Sequence, residues 1–414
     1  MVAPFAAFKM IYLDNSATTK QHPEVTEIMV KLMTEDFGNP SSLYRLGVDA
    51  EKLVKTARSN LAAGLSYGGN KDFAKTGSVV FTSGGTEADN MAIFGAAKAL
   101  RRKGNKIITT AVEHPAVLEC CEQLQGQGFE VVHIGVDRKC RLDIEALENA
   151  IDDRTILISM MHVNNEIGTV MPVGRVKEIM RAKNCPGLFH CDGVQSFGKL
   201  PMPKDADLIA VSGHKIHGPK GSGALWISDR DSSGNRINLP AYIVGGGQEG
   251  GKRSGTENTP AIAGLGKAAE LITKSDEDRD DKCSLVELRE LLHRGLTDSL
   301  MDVVINSPIE AASKAEDEGI CCPSVLSVTF MGTRGEVLLH TLEEDGIFVS
   351  TGSACSSNKK GQSHVLKAMG LKDKEIEGTL RFSLGRFNSR EEIEITVDRV
   401  TAAVNRFRRL GSFR

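Results

Sequence analysis

Short apolar runs alternate with stretches of helical periodicity between residues 78 and 228. The runs predict strands at 78–83, 106–112, 129–136, 155–163, 187–192, 207–212 and 223–228. Between the first two, residues 87–101 predict a helix that begins at Thr86, has Asp89 three residues later and ends near Gly104. This alternation is typical of a mostly parallel sheet with crossover helices.

The pattern changes beyond residue 260, where helical segments dominate. Thr259 is the predicted N-cap of one helix, with Pro260 in its first turn. Ser389 and Glu392 form a predicted capping box that opens the last helix, whose apolar residues follow helical spacing.

Two polar segments interrupt this second half. Residues 274–282 are dense in charge and 310–319 read as an exposed loop, so both are expected to be solvated. We therefore predict a large central α/β domain over 20–265 and a smaller α+β domain made of 1–19 and 266–414.

Composition narrows the class of protein. The chain has 414 residues, of which 40% are hydrophobic and 25% charged, as in globular proteins. A net charge of −3 argues against a general nucleic-acid binder, and no apolar run is long enough to span a membrane. The N-terminus lacks the basic region of a signal peptide, and nine cysteines without C-x-x-C spacing favour reduced thiols in a cytosolic setting. The adjacent cysteine pairs do not suit a zinc site, so no metal is expected.

One lysine stands out at the end of a predicted buried strand. In VSGHKIHGPKG (211–221), Lys215 follows an apolar run and precedes several glycines. A lone lysine in a turn is ordinarily a surface residue. However, Asp192, the Asn164–Asn165 pair and His114 follow three other predicted strands, and ligands of open α/β sheets bind at such strand ends.

An anion site is also predicted. In TSGGTEADN (82–90), Gly84, Gly85 and Thr86 lie between a strand and a helix, so backbone N–H groups and a hydroxyl can face a phosphate. The segment is not a Walker A loop, because no lysine follows its glycines. GGGQEG (245–250) matches G-x-G-x-x-G, but the segment after it does not read as a helix, which argues against a dinucleotide fingerprint.

These residue types together suit pyridoxal phosphate. That cofactor needs a Schiff-base lysine, a carboxylate beside its ring nitrogen and an anchor for its phosphate. Lys215, Asp192 and the glycine turn can supply these, and His114 is a candidate to stack on the ring.

The chain resembles the NifS/IscS cysteine desulfurases, pyridoxal-phosphate enzymes of the class V aminotransferase type. The resemblance covers nearly the whole chain, in family order. The matching segments are YLDNSATT (12–19), FGNPSS (37–42), FTSGGTEADN, VEHPAVL, MHVNNEIG, SGHKIHGPKG, RSGTENTP, STGSACSS and LRFSLGR. It implies an aspartate-aminotransferase-like fold of type I, whose large domain holds a mostly parallel seven-stranded sheet.

The resemblance also implies roles for individual residues. Lys215 would bind the cofactor covalently, His114 would stack on its ring and Asp192 would pair with its nitrogen. Gln195 and Asn165 would lie near the ring hydroxyl. The phosphate would be held by Gly85, Thr86, Ser212, His214 and, from a second subunit, Thr256.

The second reactive group is Cys355, in the small, polar segment 350–362. A free cysteine is usually buried and inert, but this segment is expected to be an exposed loop. By the resemblance, Cys355 attacks the sulfur of L-cysteine and becomes a persulfide, leaving L-alanine. Arg381 would bind the substrate carboxylate, a task that suits a guanidinium group.

The same resemblance implies a homodimer in the cytoplasm that passes sulfur to an acceptor protein, such as an iron-sulfur scaffold. Three departures from the family pattern are Gly193 in place of alanine, His217 in place of an aromatic or larger apolar residue, and EDEGICC (316–322) in a lengthened segment. They concern loop packing and partner surfaces more than the chemistry.

Other readings stay open. Ser212 and Lys215 match the S-x-x-K of serine acyl-transfer enzymes, but a K-T-G at 75–77 precedes that motif and S-D-N is absent. A selenocysteine lyase, or another pyridoxal enzyme of this fold, is a closer alternative. A non-catalytic sulfur-transfer scaffold would have no need of Lys215 and Cys355.

Overall fold

The computed structural model describes residues 10–69, 71–274, 284–309, 321–351 and 362–411. Its strands are β1 (Ile11–Tyr12), β2 (Gly77–Thr82), β3 (Lys106–Thr110), β4 (Glu130–Ile134), β5 (Thr155–Met161), β6 (Leu188–Asp192), β7 (Leu208–Ser212), β8 (Gly223–Ser228), β9 (Val303–Ile305), β10 (Val325–Phe330), β11 (Ile347–Phe348) and β12 (Thr379–Ser383). Its helices are α1 (Pro23–Thr34), α2 (Arg45–Ser66), α3 (Phe73–Thr76), α4 (Gly85–Leu100), α5 (Pro115–Gly126), α6 (Ile144–Ala150), α7 (Val173–Ala182), α8 (Thr259–Thr273), α9 (Leu285–Ser299), α10 (Gly335–Glu344), α11 (His364–Ala368), α12 (Asp373–Glu377) and α13 (Arg390–Arg409).

The predicted seven-stranded sheet is confirmed. Its strand order is β2-β8-β7-β6-β5-β3-β4. β8 runs antiparallel to both of its neighbours, and the remaining pairs are parallel. All seven predicted strands are present, although four of them, β2 to β5, end one or two residues earlier than the apolar runs do.

Both faces of the inner strands β3, β5, β6 and β7 are buried, which explains why these strands read as continuous apolar runs. Along β7, Leu208 and Ala210 pack on the side of α4 and α5. The alternate residues Ile209 and Val211 pack with α2, α7 and α8 on the other side. The parallel strands therefore direct their carboxyl ends to one edge between two helical layers.

The rest of the chain builds a second core. A three-stranded antiparallel sheet, in the order β12-β10-β9, packs with α9, α10 and α13. The short parallel pair β1 and β11 joins this core, which brings residues near the N-terminus beside β12. The predicted division at residues 19 and 265 stays a prediction; residue 265 lies within α8, which packs against α1 and α2 along its length.

Two helix starts differ from the sequence prediction. α4 begins at Gly85 with Gly84 as N-cap, so the predicted capping pair Thr86–Asp89 is wrong. Asp89 points inward instead and is 1% exposed. α8 is capped by Asn258, whose side chain accepts from the N–H of Ala261, one residue before the predicted cap.

The capping box of Ser389 and Glu392 at the start of α13 is confirmed. The polar segments 275–282 and 310–319 lie outside the described residues. Within the described part of the chain, no helix has the length and apolar character needed to cross a membrane.

Candidate active site

A cavity of about 320 Å³ opens at the carboxyl edge of the seven-stranded sheet. It is lined by ends of β5, β6 and β7 and by the N-terminus of α4. Most of the residues that the sequence assigned to a cofactor line it together: Gly85, Thr86, His114, Asn165, Asp192, Gln195, Ser212, His214 and Lys215.

Lys215 ends a single 3₁₀ turn, Gly213–Lys215, that follows β7 directly. A Cβ atom on Gly213 would lie 2.4 Å from Ser222 Oγ and 2.9 Å from Pro219 O, so only glycine fits the start of this turn. The Lys215 ammonium donates hydrogen bonds to the backbone oxygens of Ser16 and Ala17. The turn therefore projects the amine into the cavity, against the segment that follows β1.

Asp192 is the last residue of β6, beside Ala210 of β7. Its Oδ1 accepts from the N–H of Val194 at 2.9 Å, and the side chain is 6% exposed. Burial raises the pKa of Asp192 to about 6, while the Val194 hydrogen bond and the Lys215 charge oppose that rise. A cation placed beside this carboxyl group would favour its ionised form.

His114 is the N-cap of α5. Its Nδ1 accepts from the N–H of Ala116 at 3.1 Å, so the neutral ring carries its proton on Nε2. Burial, helped by the nearby charges of Lys215 and His364, lowers the pKa of His114 to about 4. At neutral pH this ring is therefore an uncharged, flat surface that faces the cavity.

Four residues at the other end of the cavity form what we call the anion cradle: Gly85, Thr86, Ser212 and His214. Gly85 opens the 16-residue helix α4. A Cβ atom there would lie 2.6 Å from Val194 Cγ2, so glycine is needed for close packing. A helix N-terminus with two hydroxyl groups beside it attracts anions. Burial lowers the pKa of His214 to about 4, so its ring contributes as a neutral group.

Gln195 and Asn165 occupy the side of the cavity near the segment after β1. Gln195 Nε2 donates to Ser16 O at 3.0 Å, the same oxygen that accepts from Lys215. Asn165 follows β5 in a tight turn built by Asn164, whose Oδ1 accepts from two backbone N–H groups at 2.9 Å. Asn164 therefore shapes the turn, and Asn165 faces the cavity.

Arg381, on β12, lies behind Asn165 and does not line the cavity itself. Its Nη1 donates to Asn165 O at 3.1 Å and its Nη2 to Asp14 Oδ1 at 2.6 Å. The side chain is 2% exposed, and among the described residues its Nε–H has no hydrogen-bond partner. A guanidinium group fixed at one end, with a spare buried donor, suits a carboxylate ligand.

Besides Arg381, two other predicted site residues are not among those that line this cavity. Thr256 is exposed and lines a separate cavity of about 200 Å³ with Ser83 and Arg253. Cys355 lies outside the described residues, as does most of its segment, 352–361.

The sequence did not reveal the buried polar residues Asp89, His190 and Glu113, which lie near Asp192 at what we call the inner end of the cavity. Asp89 lines the same cavity, and His190 Nε2 lies 3.4 Å from Asp89 Oδ1. Glu113 is buried nearby, and burial raises its pKa to about 8. His190 shares a strand face with Asp192, which was visible in the sequence. Asp89 was visible only as a polar residue on a helix, with no sign that it faces inward.

The donor set fits pyridoxal phosphate. An amine, a buried carboxyl group, an anion cradle and a neutral imidazole line one cavity. Gly85 lets the N-terminus of α4 pack closely against Val194, which keeps its backbone at the edge of the cavity. These are the groups that the cofactor requires.

Comparison with known proteins gives the family. Residues 11–396 match the Aminotransferase class-V family, and the chain belongs to it. It is 42% identical over 393 residues to the cysteine desulfurase IscS of Clostridium botulinum, covering 94% of this chain and 93% of that protein.

Solved structures agree with this family. A NifS-like protein superposes with a TM-score of 0.82 at 33% identity, covering 96% of this chain and all of that one (100%). SspA in complex with cysteine superposes with a TM-score of 0.74 at 31% identity, covering 91% of this chain and 99% of that one. The chain therefore shares its fold with NifS-like proteins.

Proposed function

We propose that this protein is a pyridoxal-phosphate-dependent cysteine desulfurase that converts L-cysteine to L-alanine and transfers the sulfur to Cys355 as a persulfide. The observation that carries the proposal is the meeting of Lys215, Asp192 and the anion cradle in one cavity. The similarity to IscS of Clostridium botulinum and to SspA in complex with cysteine supports the substrate.

The cofactor would be held at three points. Lys215 would bind it covalently, the anion cradle would hold its phosphate and Asp192 would keep its ring nitrogen protonated. Pyridoxal phosphate, when bound, supplies a sink for the electron pair released at the substrate's α-carbon. The neutral ring of His114 would cover one face of the site and exclude water from it.

The substrate would be oriented by its two charged groups. Arg381 would take the carboxylate, since Asn165 and Asp14 hold its two Nη groups in place and, among the described residues, its Nε–H has no hydrogen-bond partner. The amino group would then meet the cofactor where Lys215 lies. Once displaced, the Lys215 amine would be free to take the proton from the α-carbon.

Sulfur transfer would use Cys355. Its thiolate would attack the substrate's sulfur, forming an S–S bond as the carbon–sulfur bond breaks, and the pair left on carbon would be protonated to give alanine. L-cysteine and the enzyme thiol thus become alanine and an enzyme persulfide. An acceptor protein, such as an iron-sulfur scaffold, would then take the sulfur.

The test of this function separates Cys355 from the other cysteines. Cys355→Ser should still bind cofactor and L-cysteine, seen as a change in the visible spectrum, yet form neither alanine nor persulfide. Cys321→Ser is the matched control and should keep both products. Sulfur label found on Cys321, with Cys355→Ser fully active, would overturn the assignment of Cys355. A parallel assay with selenocysteine measures whether the enzyme prefers the sulfur or the selenium substrate.

A homodimer is part of the proposal, with Thr256 completing the phosphate site of a second copy. In support, Thr256 is exposed and lies away from the cofactor cavity of its own chain. Large apolar side chains are also exposed on the same chain, among them Phe37 at 67%, Leu43 at 97% and Val244 at 82%. A second copy would give these side chains a partner surface.

Subunit mixing tests this arrangement. Co-expressed Lys215→Ala and Thr256→Glu chains should regain activity that neither variant has alone, because one site of the mixed dimer then receives native residues from both chains. If Thr256 acted in its own chain, no site in the mixed dimer would be intact and activity would not return. A cytoplasmic location is also proposed, in keeping with the free thiols of the described cysteines.

A further inference from the structure

Two buried carboxyl groups line the cofactor cavity, and the proposed function uses only one of them. Asp192 is 6% exposed and Asp89 is 1% exposed. Asp192 receives the Val194 N–H and lies near the Lys215 charge. Asp89 has neither, and within the described part of the chain its Oδ1 has no hydrogen-bond partner by strict geometry. Two carboxylates in one buried site repel each other, so one of them tends to keep its proton.

His190 is the side chain that the structure places against Asp89 Oδ1. The His190 ring is fully buried, at 0% exposed, and its Nδ1 lies 2.9 Å from Ser159 Oγ. Its Nε2 lies 3.4 Å from Asp89 Oδ1 and has no other partner among the described residues. Burial lowers the pKa of His190 to about 3, so the ring is neutral and has only one N–H to donate.

Burial and the two neighbouring carboxyl groups oppose a negative charge on Asp89. Burial is the main cause that raises the pKa of Asp89 well above its usual range, and Asp192 and Glu113 add to it. Glu113 Oε1 accepts hydrogen bonds from the Thr110 hydroxyl and the Met161 N–H. Its Oε2 is buried and has no hydrogen-bond partner in the described structure. No lysine or arginine among the described residues forms an ion pair with Asp89.

The position of Asp89 also links the two ends of the site. It lies one turn along α4 from Gly85, which opens the anion cradle. His190 lies two residues before Asp192 on β6, and the side chains of both residues are on the same face of that strand. Contact between Asp89 and His190 therefore sets the spacing between the helix that receives the phosphate and the strand that carries the carboxylate.

We propose that Asp89 is a positioning residue that keeps its proton and donates it in a hydrogen bond to His190 Nε2, so that Asp192 alone carries the negative charge at the cofactor's ring nitrogen. His190 Nδ1–H then donates to Ser159 Oγ. This inference rests on the proposed function for the identity of the cofactor, but the protonation of Asp89 can be measured independently of desulfuration.

Infrared difference spectroscopy of the cofactor-loaded enzyme at neutral pH tests the proposal. The spectrum of the wild type minus that of Asp89→Asn should show the loss of a protonated carboxyl C=O band. The matched control is Asp143→Asn, at an exposed helix cap, which should lose a carboxylate band. Loss of a carboxylate band in Asp89→Asn would overturn the proposal.

A second readout uses the visible absorption of the bound cofactor as a function of pH. If Asp89 is neutral, Asp89→Asn replaces one neutral group with another, and the pH midpoint of the absorption change should stay within about half a unit of the wild-type value. Removal of an anion from this site would instead shift that midpoint by about one unit or more. A shift of that size overturns the proposal.

A third readout needs no substitution and so does not depend on the folding of a variant. Wild-type enzyme labelled with ¹³C at the aspartate side-chain carboxyl should show an isotope-shifted protonated aspartate band at neutral pH, and its absence would also overturn the proposal. If this band is present in the wild type and lost in Asp89→Asn, but L-cysteine yields no alanine, the proposed function fails and the protonation of Asp89 stands.

Discussion

The two ends of the cofactor cavity hold charge in different ways. The inner end contains Asp89, Asp192 and, close by, Glu113, all buried and all with a raised pKa. The anion cradle uses a helix N-terminus, hydroxyl groups and a neutral imidazole, with Thr86 exposed to solvent. Charge at the inner end is thus controlled by burial, whereas the cradle depends on several weak dipolar contacts.

This difference predicts how each end responds to substitution. Loss of one buried charged group in a low-dielectric site is costly, because no water replaces it. Loss of one hydroxyl at an exposed helix terminus is mild, since water and the remaining donors compensate. The predictions below test that contrast, from the largest expected effect to the smallest.

Lys215, which lies between the two ends, should show the largest effect. Lys215→Ala removes the amine that binds the cofactor, so turnover and the borohydride-reducible covalent link should both be lost. Mass spectrometry after reduction measures that link. Lys220→Ala, at an exposed lysine five residues away, is the matched control and should keep the link. Cofactor still attached to Lys215→Ala would place the Schiff base on another lysine.

Asp192 should come next. Asp192→Ala leaves the ring nitrogen without its carboxylate, and we expect kcat to fall by about 10²–10³-fold with the cofactor fully loaded. Steady-state kinetics at measured cofactor occupancy check this. Asp205→Ala changes a half-buried carboxylate before β7 and serves as the control, because its ion pair is with Arg181, a surface residue away from the cavity. Turnover near the wild-type rate in loaded Asp192→Ala would disprove its role at the nitrogen.

Glu113 sharpens the view that burial controls the inner end. Its folded-state pKa of about 8 lies above the value of 4.5 expected when it is unfolded, so the folded protein holds a proton that the unfolded chain releases. This group therefore stabilises the fold at low pH, and its contribution is lost as pH rises from about 4.5 to about 8.

Glu113→Gln should remove that pH dependence, because the amide cannot ionise but can still accept from Thr110 and Met161. Denaturant unfolding at several pH values within this window measures the slope of the unfolding free energy against pH. The exposed Glu119→Gln should keep the wild-type slope. An unchanged slope in Glu113→Gln would mean that Glu113 is already ionised in the folded state.

The smallest effect is expected at the anion cradle. Thr86→Ala removes one hydroxyl from the phosphate site, and one hydrogen bond of about 0.5–1.5 kcal/mol corresponds to a two- to tenfold weaker cofactor affinity. Titration of the cofactor-free enzyme, followed by absorbance, measures the dissociation constant, and Thr86→Ser should restore it. A dissociation constant that rises about 10²-fold or more in Thr86→Ala would show that the anion cradle is as sensitive to substitution as the buried carboxyl groups.

Much of this architecture follows from the sequence alone. The inner strands of the seven-stranded sheet are visible as apolar runs because both of their faces are buried and side chains on either face are mostly apolar. Lys215, Asp192, His114 and Asn165 are visible because they follow such runs, and parallel strands bring their ends to one edge. The glycine turn at Gly85 was equally visible from its place between a strand and a helix.

Only the tertiary structure decided what lies behind those residues. Asp89 is one polar residue on a helix, and its inward direction depends on where α4 begins, two residues earlier than the sequence suggested. Its partner His190 is far away in the chain, and the two residues meet only because α4 packs across β6. Arg381 and Asn165 likewise meet through contact between two cores. Local pattern fixes which residues end a strand, whereas the burial that sets the protonation of a carboxyl group is a sum over distant neighbours.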